Sequence, residues 1–177
     1  MFSIPAPLRA APALHELRAP SGTAAHAGLA LRLLPAQGPV LWVSVSPDWY
    51  PPGLAWAGLN PARCLFARAR SDDEVLGSAE VGLRGGMAVV AACGALSRLA
   101  AKRLALAAKT GNALGFVLRH APAVTAQDST AVLARWFVTP APGGGLRAEL
   151  LYAKGVALGI YEDRDDAPLA VPLRRAG

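Results

Sequence analysis

Three short runs decide most of what this chain can fold into: "PVLWVSV" (Pro39–Val45), "MAVVAAC" (Met87–Cys93) and "LGFVL" (Leu114–Leu118). Each is apolar on nearly every successive position, where a strand with one wet face would alternate. Such strands must be covered on both sides, as parallel strands are. Further strands are expected at Leu14–Arg18, Cys64–Ala69, Val132–Val138 and Leu146–Ala153, and the "LGFVL" strand extends to Arg119.

Helix signals fall between these runs. Ser71-Asp-Asp-Glu74 has the form of a capping box, in which the Ser and Glu side chains each satisfy a free backbone N–H. Leu76, Ala79 and Leu83 then share a face, and Gly85-Gly86 ends the helix. Ser97 caps a second helix running to Gly111. A third spans about Ala24 to Leu34 and stops at Pro35, and a short one covers Leu54–Leu59. After Arg119 strands are joined by loops, with turns at "PAPGGG" and "EDRDDAP". The order βαβαβαβαβ, followed by antiparallel edge strands, predicts an α/β/α sandwich with a mostly parallel sheet. With 177 residues and no internal repeat, one domain over 1–177 is expected, with a Pro-rich segment at 1–12 and a tail or edge strand at 164–177.

Composition narrows the class. A chain 53% hydrophobic and 17% charged is not disordered. No run approaches the roughly 20 apolar residues of a membrane span, and "MFSIPAPLRAAPA" lacks the continuous apolar core of a secretory signal. A cytoplasmic protein is expected, with Cys64 and Cys93 as buried free thiols rather than a disulfide. The net charge is +6, and Arg84 to Arg147 holds eight basic residues against one acid, Asp128. That excess suits an acidic partner, protein or nucleic acid; a coding bias that enriches Ala, Arg, Gly and Pro together would produce it too.

The stretch "HELRAPSGTAAHAGLAL" (His15–Leu31) has the layout of a phosphate-binding loop, a strand end and small-residue turn feeding a helix. Its chemistry is missing. The terminal glycines of that loop fall on Ala19 and Ala24, the lysine on Ala25 and the metal-binding hydroxyl on His26. The acid expected at the end of the strand "MAVVAAC" is replaced by Ala91 and Ala92, and the nearest acid to "PVLWVSV" is Asp48. Helix-start amides could still face an anion, but no ATP hydrolysis, no cofactor and no enzymatic activity are expected.

The order of "HELRAPSGTAAHAGLAL", "PVLWVSVSPDWYPPGLAWAGLNPARCLFARARSDDEVL", "GGMAVVAACGAL", "SRLAAKRLALAAKTGNALGFVLR", "ARWFV" and "LRAELLYAKG" resembles the ImuA family. These are RecA-like, SulA-like proteins of bacterial inducible-mutagenesis operons. The resemblance runs from about His15 to Glu162, and its most specific pieces are His15-Glu16, "GPVLWV", "PGLAWAGLNPAR" and "RLALAAKTG". It implies a RecA-like fold and a part in SOS-induced, error-prone translesion synthesis. The implied partners are the polymerase-like protein ImuB, an error-prone DNA polymerase subunit and RecA, with any DNA contact indirect and nucleoid association through these partners. Asp48 and Tyr50 fall near the adenine contacts of RecA and read as inherited scaffold. The chain starts close to its first core strand and carries no RecA-type polymerisation arm, so no filament of its own is expected. A SulA-like inhibitor of the cell-division GTPase FtsZ is the alternative.

Other chemistry finds little support. His15, His26 and His120 have no ligand spacing with one another or with the cysteines, so no metal site is expected. No Gly-x-Ser-x-Gly turn occurs, and Gly143-Gly144-Gly145 is not followed by a helix. Three regions remain as candidate surfaces. Arg98, Lys102 and Lys109 lie within roughly 40° on the helix after Ser97, with Arg103 to one side; they form a solvated face or a basic docking surface. Trp49, Tyr50 and Trp56 read first as a lid over the core, second as interface anchors. In "PLAVPLRRAG", Leu169, Val171 and Leu173 with Arg174 and Arg175 form either a closing edge strand or a partner site, since Pro168 and Pro172 suit an edge.

Overall fold

The computed structural model describes residues 4–46, 50–123, 128–142 and 144–162. Eight strands form one sheet: β1 (Ala13–Ala19), β2 (Val40–Ser44), β3 (Cys64–Arg68), β4 (Ala88–Ala92), β5 (Leu114–His120), β6 (Ala134–Pro140), β7 (Leu146–Ala153) and β8 (Ile160–Glu162). Their order is β3-β2-β4-β5-β1-β6-β7-β8. The first six are parallel; β7 and β8 are antiparallel. The apolar runs become β2, β4 and β5, whose residues from Val40 to Ser44, Ala88 to Ala91 and Leu114 to Leu118 are all buried. This is the α/β sandwich with a mostly parallel sheet expected from the alternation of runs and helices, and it is consistent with the RecA-like fold that the family resemblance implies.

Helices cover both faces. On one, α1 (Ala25–Leu33) and α2 (Pro51–Trp56) pack Leu29, Leu33 and Leu54 with Leu17, Trp42, Phe116 and Trp136. Ile4 and Leu8, from the Pro-rich N-terminal segment, join this core. On the other, α3 (Asp72–Arg84) and α4 (Arg98–Gly111) bury Val75, Ala79, Leu83, Leu104 and Ala108 against Leu14, Leu41, Val89 and Val117.

Local chemistry explains the helix ends. Ser71 accepts from the Glu74 N–H at 3.3 Å and Ser97 from the Ala100 N–H at 3.1 Å. The Glu74 carboxylate reaches one residue further than a capping box requires and accepts from the Arg70 N–H at 2.8 Å. Helix α4 ends on Asn112, in the left-handed region at φ 49°, so Gly111 is not the turning residue. Gly111 is needed for another reason: a Cβ there would overlap the Leu83 carbonyl oxygen where α3 ends against α4.

Three expectations are corrected. Tyr50 and Trp56 do not form a lid: they are 56% and 77% exposed, stacked edge to face at 6.4 Å. The six-residue α2 buries only Gly53 and Leu54, which leaves Trp56 on its wet side; Trp49 lies outside the described residues. Cys64 is half-buried because β3 is an edge strand, whereas Cys93 is buried; both thiols are free. Strand β8 was not expected, since its three residues merge in sequence with the acidic run that follows. The tail candidates Leu169, Val171, Leu173, Arg174 and Arg175, like Asp48, lie outside the described residues. No described helix is long and apolar enough to cross a membrane.

Candidate functional site

The loop from β1 into α1 sits at the C-terminal ends of the central strands, where open α/β sheets bind ligands. The frame read in sequence is present: β1 ends at Ala19, Gly22 turns the chain at φ 81°, and α1 starts at Ala25 after Ala24. No side chain caps that helix start, and its first turn carries no acid. Ala19, Ala24 and Ala25 supply neither charge nor hydroxyl.

His26 fills the position of the missing hydroxyl. Its ring is buried, its Nδ1 accepts from the Ala27 N–H at 3.0 Å, and it lies 4.7 Å from the ring of His120 at the end of β5. Burial, reinforced by the neighbouring His120, pushes the His26 pKa down to about 4 against the opposing pull of a hydrogen bond to Ala24. His120 Nδ1 and the Thr23 hydroxyl both meet the Pro20 carbonyl, each at 3.2 Å. The His120 imidazole and the Thr23 hydroxyl therefore brace the loop from within. An anionic phosphate gains little from a neutral ring that resists protonation.

Beside this loop the structure builds a charged cluster that sequence reasoning missed. Register places Glu16 opposite Arg135 of β6, and Arg18 opposite Arg119 of β5, all on the α3/α4 side. Glu16 Oε1 accepts from Arg18 Nε at 2.9 Å and Arg119 Nη1 at 2.7 Å, and its Oε2 from Arg135 Nε at 2.8 Å. Asp128 answers Arg18 at 2.5 Å and lies 3.6 Å from Arg135. Burial by itself would raise the Glu16 pKa; bonds from Arg135, Arg18 and Arg119 outweigh it and hold the carboxyl below its usual range.

The remaining donors of the cluster fix loops. Arg18 donates to the Ala123 carbonyl at 2.9 Å, Arg135 to that of Ser129 at 2.6 Å, and Arg119 to that of Gly94 at 3.2 Å. Asp72 holds the β4–α4 loop, accepting from the N–H groups of Gly94 and Ala95 at 2.9 and 3.0 Å. The carboxylates Glu16 and Asp72 near this end of the sheet are thus committed to structure. Cys93, at the end of β4, is buried and its thiol is pushed up to about 12, which leaves it un-ionised and a poor nucleophile.

His15 points to the opposite side of β1. It is fully buried, stacks on Phe116 at 5.4 Å and receives the Trp136 Nε1–H at 3.5 Å, while its Nε2 has no partner. Burial lowers its pKa to about 4. Among the described residues no group of three His, Cys, Asp or Glu side chains could hold a metal ion.

The surface candidates on α4 stand where helical periodicity put them. Arg98, Lys102, Arg103 and Lys109 are exposed; Arg103 pairs with Glu80 of α3 at 2.6 Å. A signal for the Glu16 cluster did exist in sequence: Glu16 and Arg18 share one parity of a strand that would otherwise be apolar, and Arg119 and Arg135 end or begin neighbouring strands.

No family model matches the sequence. It is 34% identical to the protein ImuA of Caulobacter vibrioides, in two strains, over 116 aligned residues covering 60% of this chain and 48% of that protein. The chain thus spans about half the length of the curated relatives it matches. The match supports an ImuA-family assignment.

Proposed function

We propose that this chain is a non-catalytic, RecA-like adaptor of SOS-induced, error-prone translesion DNA synthesis. In this reading it joins an ImuB-like, polymerase-related protein to an error-prone DNA polymerase subunit and RecA, and it meets DNA through them. The similarity to ImuA supports the setting. The observation that carries the non-catalytic half is the β1–α1 loop, where Ala25 and a buried, neutral His26 stand in the places of the cation and the metal-binding hydroxyl. Phosphate transfer needs charge and a metal ligand there, and neither side chain supplies one.

Calorimetric titration with Mg-ATP should give no binding heat and no turnover; micromolar affinity would overturn the reading. Substituting Ala24→Gly, Ala25→Lys and His26→Thr together should still yield no hydrolysis, because β4 ends in Ala91-Ala92 without an acid. Pull-down of the full chain should retain the ImuB-like protein and not FtsZ. Retention of FtsZ alone would favour the SulA-like inhibitor instead.

A further inference from the structure

The outward side of α4 combines two features that a solvated helix face has no need to combine. Leu99 is 68% exposed and Leu106 58%; seven residues apart, they stand in one ridge about 10 Å long. Beside that ridge on the α3 flank, Arg103 is paired with Glu80, a carboxylate it shares with Arg84. On the other flank Arg98, Lys102 and Lys109 are exposed, and no described acid pairs with them. Helical angles put these three within roughly 40° of one another and next to the leucines. The face is therefore apolar along its crest, with acid-free cations along one side and an ion-paired arginine along the other.

We infer that this face of α4 is the docking surface for an acidic amphipathic helix of a partner protein. The inference rests on the adaptor reading above and specifies the chemistry of the partner. The partner's apolar stripe covers Leu99 and Leu106, and its carboxylates run beside Arg98, Lys102 and Lys109. The one-sided charge sets which way the helix lies. Isolated exposed leucines are common; their alignment with three unanswered cations is what identifies the occupant. A nucleic-acid backbone would satisfy the cations but set phosphates against two leucines. Single strands are held chiefly by stacking of bases on aromatic side chains, and α4 has no aromatic residue.

Two double variants of the full chain test this: Leu99→Gln/Leu106→Gln and Lys102→Glu/Lys109→Glu. All four positions are exposed, so circular dichroism and the thermal midpoint should stay unchanged. Each double variant should weaken binding of the ImuB-like protein by at least about tenfold, and the charge reversal should also flatten its salt dependence. A photo-crosslinker at Leu106 should join a Glu/Asp-rich helical segment of that protein. Unchanged affinity of the leucine variant, or a crosslink to a basic segment, overturns the inference while leaving the adaptor reading intact.

If the unmodified chain fails to bind the ImuB-like protein, the adaptor reading falls instead, and a second probe decides the surface. That probe is a synthetic peptide of three Leu/Glu heptads, with a scrambled peptide and mixed-sequence single-stranded DNA as controls. Binding of the heptad peptide that both variants abolish upholds the surface. Equal binding of the scrambled peptide, or DNA binding that depends on Leu99 and Leu106, refutes it.

Discussion

The two faces of β1 solve the same problem in opposite ways. Every residue of the strand is buried, yet it contains His15, Glu16 and Arg18. On the α1 side His15 is accommodated by staying neutral between Phe116 and Trp136. On the α3/α4 side Glu16 stays ionised, because three guanidinium groups donate to its two oxygens. A single imidazole loses its charge when desolvated; a carboxylate surrounded by fixed cations keeps its charge. The neutral face tolerates an unpartnered Nε2, whereas the charged face depends on nearly every donor having an acceptor. The charged face should therefore be the more fragile to substitution, and the neutral face the more fragile to acid.

The largest expected effect tests the first half of that contrast. Glu16→Gln leaves Arg18 and Arg135 with Asp128 as the remaining carboxylate and takes from Arg119 the carboxylate it pairs with. Breaking a buried ion network from one side costs about 3–5 kcal/mol, to be read from urea unfolding at neutral pH. A loss below about 1 kcal/mol would mean that water, not Glu16, balances these arginines.

Acid titration separates the faces. The folded-state pKa of His15 and of His26 is about 4 against 6.5 for the free side chain. The unfolded chain therefore holds more protons across that window, and stability falls as pH drops from 6.5 towards 4. Each shift corresponds to roughly 3 kcal/mol over the full window. The Glu16 carboxyl is lowered too, but from 4.5 and by its arginine partners, so its stabilisation is complete above that value and fades only below it. His15→Phe should remove about half of the loss between pH 6.5 and 4 and leave the loss below 4.5 in place. An unfolding midpoint that is flat from pH 7 to 5 in the unmodified chain would contradict the neutral-histidine account.

The smallest effect grades the charged face internally. Arg119 sits at the rim, its side chain 14% exposed, while Arg18 and Arg135 are 1% and 5% exposed. Arg119→Gln should cost about 1 kcal/mol, because water can replace part of what it gives. Arg135→Gln should cost more by denaturant midpoint. Equal losses would show that the cluster acts as one unit, without a rim.

Much of this architecture was legible before any coordinates. Ser71 and Ser97 announced α3 and α4 because capping is a contact between residues three apart, and β2, β4 and β5 announced themselves by unbroken apolarity. The β1–α1 loop was equally readable, since its missing charge is a matter of residue identity at Ala25 and His26. Trp56 was misread because α2 is too short for its apolar residues to reveal which side faces the core. Cys64 was misread because an edge strand has the composition of a central one. The Glu16 cluster went unseen because Glu16 lies 103 positions from Arg119 and 119 from Arg135, and nothing local joins it to either.

By itself, then, the sequence determined that strands and helices alternate, which strands need cover on both faces, and which residues of a phosphate-binding loop are absent. These follow from side-chain period and from neighbours within a turn of one another. The bounds of α2 (expected at Leu54–Leu59, found at Pro51–Trp56) and β6 (expected at Val132–Val138, found at Ala134–Pro140) were set by packing. The tertiary structure decided that β1 lies between β5 and β6. It alone decided which charges on β1 find partners and which histidines lose theirs to burial. It also decided which side of α4 keeps its leucines and lysines in water. Ion pairing and desolvation depend on distances across the sheet, and those exist only once strands from distant parts of the chain have been set side by side in register.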